Sequence, residues 1–213
     1  MNQKLRKKLI QIAENRISDE DKSHDFEHAL RVLANVECIA KSEKGDFDIV
    51  IPSALFHDLV VHPKNSPQAS HSQNDSAKEA EIILKSLKGY PQRKIANVCE
   101  SIRCCSFSKG IIPNFLEAKI LQDADGLEAT GAISIMRTFS STGQMKRPFY
   151  QPEDPFCAKR QPDSRSYALD LFYSRLLVVA DRMHTRTAKQ MARRRTAFLR
   201  LFLKELALEL QGK

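Results

Sequence analysis

A nearly unbroken apolar run, Ile49-Val50-Ile51-Pro52-Ser53-Ala54-Leu55-Phe56, ends abruptly in His57-Asp58-Leu59. Its length and composition predict a buried helix over about Ile49 to Leu59, with Pro52 in the first turn, where a missing N–H is tolerated. The aspartate at its end needs a reason, because Asp is almost never fully buried unless it is paired or bound to a metal. Adjacent helical side chains point about 100° apart. His57 and Asp58 can therefore share an ion only beside the helix, with other elements closing the shell. Taken alone, the dipeptide fits a helix-terminal histidine beside an exposed aspartate better than it fits a metal site. The rest of the chain reverses that order.

Helical spacing recurs along most of the 213 residues. Leu5, Leu9, Ile12, Ala13 and Ile17 mark an amphipathic first helix. A second opens at His24-Asp25, with Asp25 as N-cap, and carries Phe26, Ala29, Leu30, Leu33, Val36 and Ala40 until Gly45 stops it. After a polar loop from His62 to Asn74, a fourth helix holds Ala77, Ala80, Ile83, Leu84 and Leu87, with Gly89 beyond its end. Pro91 starts a fifth, a sixth covers Glu117 to Leu127, and an apolar helix then runs through Arg137. From Ser140 to Arg165 prolines alternate with Phe149, Tyr150 and Phe156, which reads as an ordered flap. Two long helices, Tyr167 to Ala188 and Lys189 to Leu210, are expected to close the chain. No stretch alternates as a strand does, and seven Gly and nine Pro leave little room for a turn-dense β architecture. The expected fold is all-α, one domain over residues 1–213, with a core over about 20–140, a flap over 140–165 and C-terminal helices over 166–211.

Charge narrows the partners. A formal net charge of +8 favours an anionic ligand, whether a phosphorylated metabolite, a nucleotide or a nucleic acid. The cluster Arg193-Arg194-Arg195 lies where the helical period puts Met191, Ala192, Phe198 and Leu199 inside and the arginines in solvent. No nucleic-acid-binding motif accompanies it, so nucleic acid is not the expected partner. Five cysteines, with no C-x-x-C pair, suggest reduced thiols in the cytoplasm rather than a disulfide framework or a zinc knuckle. The basic N-terminus lacks a following apolar segment, and no run reaches membrane-spanning length. Self-association is left open.

Ligand-type residues come from separate predicted helices: His24-Asp25-x-x-His28, His57-Asp58 and Asp123-Ala124-Asp125. Their order resembles the HD-domain phosphohydrolases, a helical superfamily defined by H…HD…D ligands. The likeness is finer than that: His24-Asp25-Phe26-Glu27-His28 and Gln122-Asp123-Ala124-Asp125 are similar to the small bacterial members carrying HDxEH and QDADRL. Ser106-Phe107-Ser108, Glu117-Ala118-Lys119-Ile120, Asp154-Pro155-Phe156 and Tyr167-Ala168-Leu169-Asp170 extend it over nearly the whole chain. The resemblance implies His28, His57, Asp58 and Asp125 as metal ligands, with His57 and Asp58 at the catalytic centre. Two imidazoles and two carboxylates suit one divalent ion, Mn²⁺ by preference, with Fe²⁺, Co²⁺, Ni²⁺ or Mg²⁺ as alternatives. His24, Asp25 and Asp123 are expected to support the ligands or cap the helix, and a solvated acid is the plain alternative for Asp123. Two departures stand out. Gly126 replaces the arginine of the relatives' DRL, and Cys105 stands before Ser106 where many relatives have histidine, which favours one ion over two.

Phosphate contacts are expected from Lys64 and His71 on the loop after Asp58, from Arg31 one turn past His28, and from Lys109. Arg31 and Lys109 also fit solvated or salt-bridged roles. His62 or His71 is the candidate general acid. The flap, with Lys146, Arg147, Lys159 and Arg160 among its aromatics, fits a lid over a nucleotide, a dimer contact or plain packing. The expected activity is metal-dependent hydrolysis of a phosphoester or phosphoanhydride, on nucleotides by resemblance: a nucleoside triphosphate to the monophosphate and pyrophosphate. The competing reading is a scaffold that binds a nucleotide or nucleic acid without turnover.

Overall fold

The computed structural model describes residues 1–18, 25–62 and 66–213. Among them there are helices and no strand, so the fold is all-α. The chain divides into two compact units, Met1–Asp125 and Gly126–Lys213.

The first unit is built around α3 (Phe47–Phe56). Every side chain from Ile49 to Phe56 is buried, and a helix that is apolar all round belongs in the middle. It packs against α1 (Gln3–Arg16), α2 (Phe26–Glu43), α4 (Ser72–Ser86) and α5 (Ile95–Arg103). The last helix of this unit, α6 (Leu116–Gly126), buries Ala118, Ile120, Leu121, Gln122, Asp123 and Ala124.

Pro52 is not in the first turn of α3. The helix starts at Phe47, because the Asp46 side chain accepts from the Asp48 N–H and caps it there. Pro52 therefore lies in the interior and leaves the Asp48 carbonyl without its helical donor. The Tyr90 hydroxyl supplies a replacement, donating to Asp48 O at 2.7 Å. Burial, with Asp48 and Asp46 nearby, pushes that phenol above its ordinary pKa, so it stays a donor. Tyr90→Phe should then lower stability by about 1–2 kcal/mol, the penalty of an unsatisfied carbonyl. Urea unfolding of the two proteins measures it, and an unchanged midpoint would show that the bond is dispensable.

Gly45 is not the left-handed stop of α2. Lys44 takes that conformation, at φ 60°. Gly45 sits in close packing instead: a Cβ there would meet Ile120 Cδ1 at 2.6 Å, so the end of that side chain would have to shift.

In the second unit α7 (Gly131–Gln144) packs on α9 (Arg186–Glu209). Leu169, Phe172, Leu176, Leu199 and Leu203 form the buried core. Phe172 stacks on Phe202 at 5.8 Å, and Phe139 meets Phe149 edge-on at 5.5 Å. The helix α7 continues to Gln144, so the irregular segment starts later than the prolines suggest. It is clipped at both ends by Ala168 N–H to Pro148 O (3.1 Å) and Leu169 N–H to Phe149 O (2.8 Å). Of the lid, dimer contact and plain packing that the segment's aromatics fit, Tyr150 and Phe156 show packing against the core.

The long helix expected from Tyr167 to Ala188 does not form. Only α8 (Asp170–Ser174) and a 3₁₀ stretch, Leu176–Arg182, precede α9. Thr185 is extended and its hydroxyl accepts from Ala188 N–H at 3.2 Å, which starts a new helix there. The side chains of Arg193 and Arg194 are exposed, as the helical period requires. Arg195 departs from it, being half-buried and donating to Leu127 O at 3.2 Å. Phe198, expected inside, is 47% exposed.

Candidate metal centre

The centre is assembled at one end of three helices of the first unit. The Asp25 carboxylate caps α2 by accepting from the His28 N–H at 2.9 Å, which fixes His28 in the first turn. His57 is the C-cap of α3. Its Nδ1 lies 2.8 Å from Ala54 O; a carbonyl can only accept, so Nδ1 carries the proton. That bond satisfies a carbonyl at the helix end and leaves the lone pair of the neutral ring on Nε2.

Both imidazoles are buried, His28 at 0% and His57 at 2% exposure. Their Nε2 atoms are 3.2 Å apart. The carboxylates close in from two sides: Asp58 Oδ2 lies 3.5 Å from His28 Nε2 and 3.4 Å from His57 Nε2, and Asp125 Oδ1 lies 3.6 Å from His28 Nε2. Atoms of His28, His57 and Asp125 all fall within 4.8 Å of one another. Two nitrogens each bound at about 2.1 Å to one ion are about 3.0 Å apart at a right angle and about 3.4 Å apart in a tetrahedron. The observed separation falls inside that interval. The donor set fits a divalent cation, with no thiolate among the converging atoms.

Asp125 reaches the cluster because α6 is pinned from two sides. Asn35, buried on α2, donates to Ala124 O at 3.2 Å. The buried Gln122 amide donates to Cys104 O at 2.7 Å and to Ile111 O at 3.0 Å, which ties the segment after α5 to α6. Sequence reasoning missed both roles, although Gln122 stood in the quoted motif. Asn35→Leu should weaken divalent-ion binding by about tenfold or more, the usual loss when a supporting group is removed. Titration calorimetry against the wild-type protein checks this, and unchanged affinity would remove Asn35 from the centre.

Asp123 is 2% exposed, so the solvated-acid alternative does not hold. Asp125 lies beside His28, and a two-residue spacing sets Asp123 about 200° away around α6. The residue found in place of histidine, Cys105, is also 2% exposed. Burial, then the charges of Asp125 and Asp58, raise its thiol well above the ordinary range, so it borders the carboxylates as a neutral group.

The remaining described candidates lie in the first unit. His24 and Lys64 lie outside the described residues. Arg31 is half-buried one turn beyond His28. Lys109 donates to Ser70 O at 2.6 Å and joins the loop before α4 to the turn after Cys105. His62 pairs with Asp75 at 3.1 Å, and His71 is exposed at the start of α4. No described helix is long and apolar enough to cross a membrane.

Residues 25–130 match the HD domain family. Over 200 residues the chain is 28% identical to an uncharacterized protein, YpgQ, of Bacillus subtilis, spanning 92% of this chain and 89% of that one. The fold is similar to the crystal structure of Bacillus subtilis YpgQ in complex with ADP, at TM-score 0.72 and 25% identity over 97% of this chain and 95% of that one. It is also similar to an HD-superfamily hydrolase from Bacillus thuringiensis, at TM-score 0.74 and 26% identity over 99% of both chains. On the family match, the all-α fold and these neighbours together, residues 25–130 of the chain form an HD domain.

Proposed function

We propose that the protein is a metal-dependent phosphohydrolase acting on nucleotides, cleaving a nucleoside triphosphate to the monophosphate and pyrophosphate. The observation that carries this is the convergence of two buried Nε2 atoms, 3.2 Å apart, with the Asp58 and Asp125 carboxylates beside them. The ADP bound to the similar YpgQ supports a nucleotide as ligand. His28, His57, Asp58 and Asp125 would hold one divalent ion, Mn²⁺ by preference for a mixed nitrogen and oxygen set. When bound, such an ion supplies Lewis acidity toward a phosphoryl oxygen and lowers the pKa of water.

The protein's own part is orientation and proton handling. Ala54 O holds the His57 ring so that Nε2 stays an acceptor. Asp58 is 13% exposed and Asp125 31% exposed, so both carboxylates keep an open side toward an incoming phosphate and water. Asp58 would take a proton from the attacking water. Lys64, His71, Arg31 and Lys109 remain the candidates for the phosphate chain.

The test is turnover by metal-stripped protein, resupplied with each divalent ion in turn and assayed for phosphate and pyrophosphate release across ribo- and deoxyribonucleotides. Release of pyrophosphate, restored best by Mn²⁺, is the expected result. Nucleotide binding without release under every ion would make the protein a binding scaffold.

A further inference from the structure

The positive charge is not shared between the units. The first unit carries 18 Lys and Arg against 18 Asp and Glu, and the second 16 against 8. The whole net charge of +8 therefore belongs to residues 126–213. Within α9 the imbalance is sharper still: from Arg186 to Lys204 there are seven basic residues and no acidic one. That helix start borders an open cleft of about 470 Å³, lined among the described residues by second-unit side chains.

Arg186, Lys189, Gln190 and Arg193 line it from positions i, i+3, i+4 and i+7, one face of the helix. None of the three cations makes an ion pair or a side-chain hydrogen bond among the described residues. Like charges at this spacing repel, so a cluster without counter-charges leaves room for an anion to stabilise it. Arg186 and Arg193 stand about 10 Å apart along the axis, farther than a single phosphate can bridge. Among the described residues the lining also includes Met183 and His184 but no Phe, Tyr or Trp, so these offer no benzenoid or indole ring on which successive bases of a single strand would stack. The Thr185 hydroxyl takes one N–H of the helix end, that of Ala188, and the three side-chain cations supply the formal charge of the site.

We propose that this cleft binds a short chain of linked phosphates, either a free oligophosphate or the phosphate tail of a nucleotide. The site does not depend on the metal centre. Tripolyphosphate, pyrophosphate and ATP, titrated into full-length protein in excess chelator, should all bind. The triple variant Arg186→Gln, Lys189→Gln, Arg193→Gln should weaken tripolyphosphate at least tenfold, while Arg194→Gln, exposed but off the lining, should change it less than twofold. Hydrogen exchange on the wild-type chain gives a readout independent of any variant's folding, with protection expected over residues 183–193 on adding tripolyphosphate. ATP binding like tripolyphosphate would identify the phosphate chain as the ligand, and tenfold tighter ATP would identify a nucleotide; either supports the site. Equal losses from Arg194→Gln and the triple variant, no protection over 183–193, or tighter binding of single-stranded RNA than of tripolyphosphate would overturn it.

Discussion

Replacing His57 with alanine should abolish tight divalent-ion binding and lower nucleotide turnover by about a thousandfold or more, equivalent to about 4 kcal/mol of transition-state stabilisation. His57 is the residue on which most of the centre's geometry depends. It is 2% exposed, its Nδ1–H is spent on Ala54 O, and its Nε2 sits 3.2 Å from that of His28. In the proposed one-ion centre, removing either imidazole removes most of what the pair contributes. The double variant His28→Ala, His57→Ala should therefore be little worse than either single change, a non-additivity expected of groups acting as a unit. Asp58→Asn, nearly the same in shape, separates charge from packing: it should preserve stability within about 0.5 kcal/mol yet lose most activity. Metal content, unfolding midpoint and turnover are measured on the same preparations. Full activity in the His57 variant would sink the assignment of the centre.

What could be read from the chain was local. Asp25 as cap and His28 three residues later are contained in one helical turn, and the apolar run of α3 announces its own burial. The failures have a common cause in bonds between distant residues or in competing local ones. Pro52 was misplaced because the Asp46 cap lies outside the apolar run, and its compensation comes from Tyr90, 42 residues from the carbonyl it serves. Hydrophobic period carried the expected helix straight through Thr185, whose hydroxyl restarts the backbone there. The same periodicity puts Arg195 in solvent, whereas it reaches back to Leu127 O. The four ligand-type residues were nameable because relatives share their order. The bonds that aim them, from Asn35, Gln122 and Ala54 O, carry no periodic signal.

Asp170→Asn should destabilise the second unit by about 2–3 kcal/mol, the largest structural effect expected outside the metal centre. The Asp170 side chain is fully buried. It accepts from both terminal nitrogens of Arg160, with Nη2 to Oδ1 at 2.8 Å, and from the Asp163 N–H at 2.6 Å, so one carboxylate organises the end of the 145–169 segment. The range stays moderate because the Arg160 side chain is 23% exposed, and water recovers part of the loss. Burial alone would raise the Asp170 pKa, but Arg160, the Asp163 N–H and Cys157 outweigh it and hold the group below its ordinary value. A carboxylate depressed in the folded state contributes stability that is complete above its unfolded pKa, about 3.9, and is lost as pH falls through the folded value. The gap between wild type and Asp170→Asn should therefore be level from neutral pH down to about 5 and shrink below about 4. Urea unfolding at stepped pH, with hydrogen exchange over residues 145–182, resolves both features. A gap that persists undiminished in acid would mean that asparagine perturbs packing and that the charge of Asp170 is not what holds the segment.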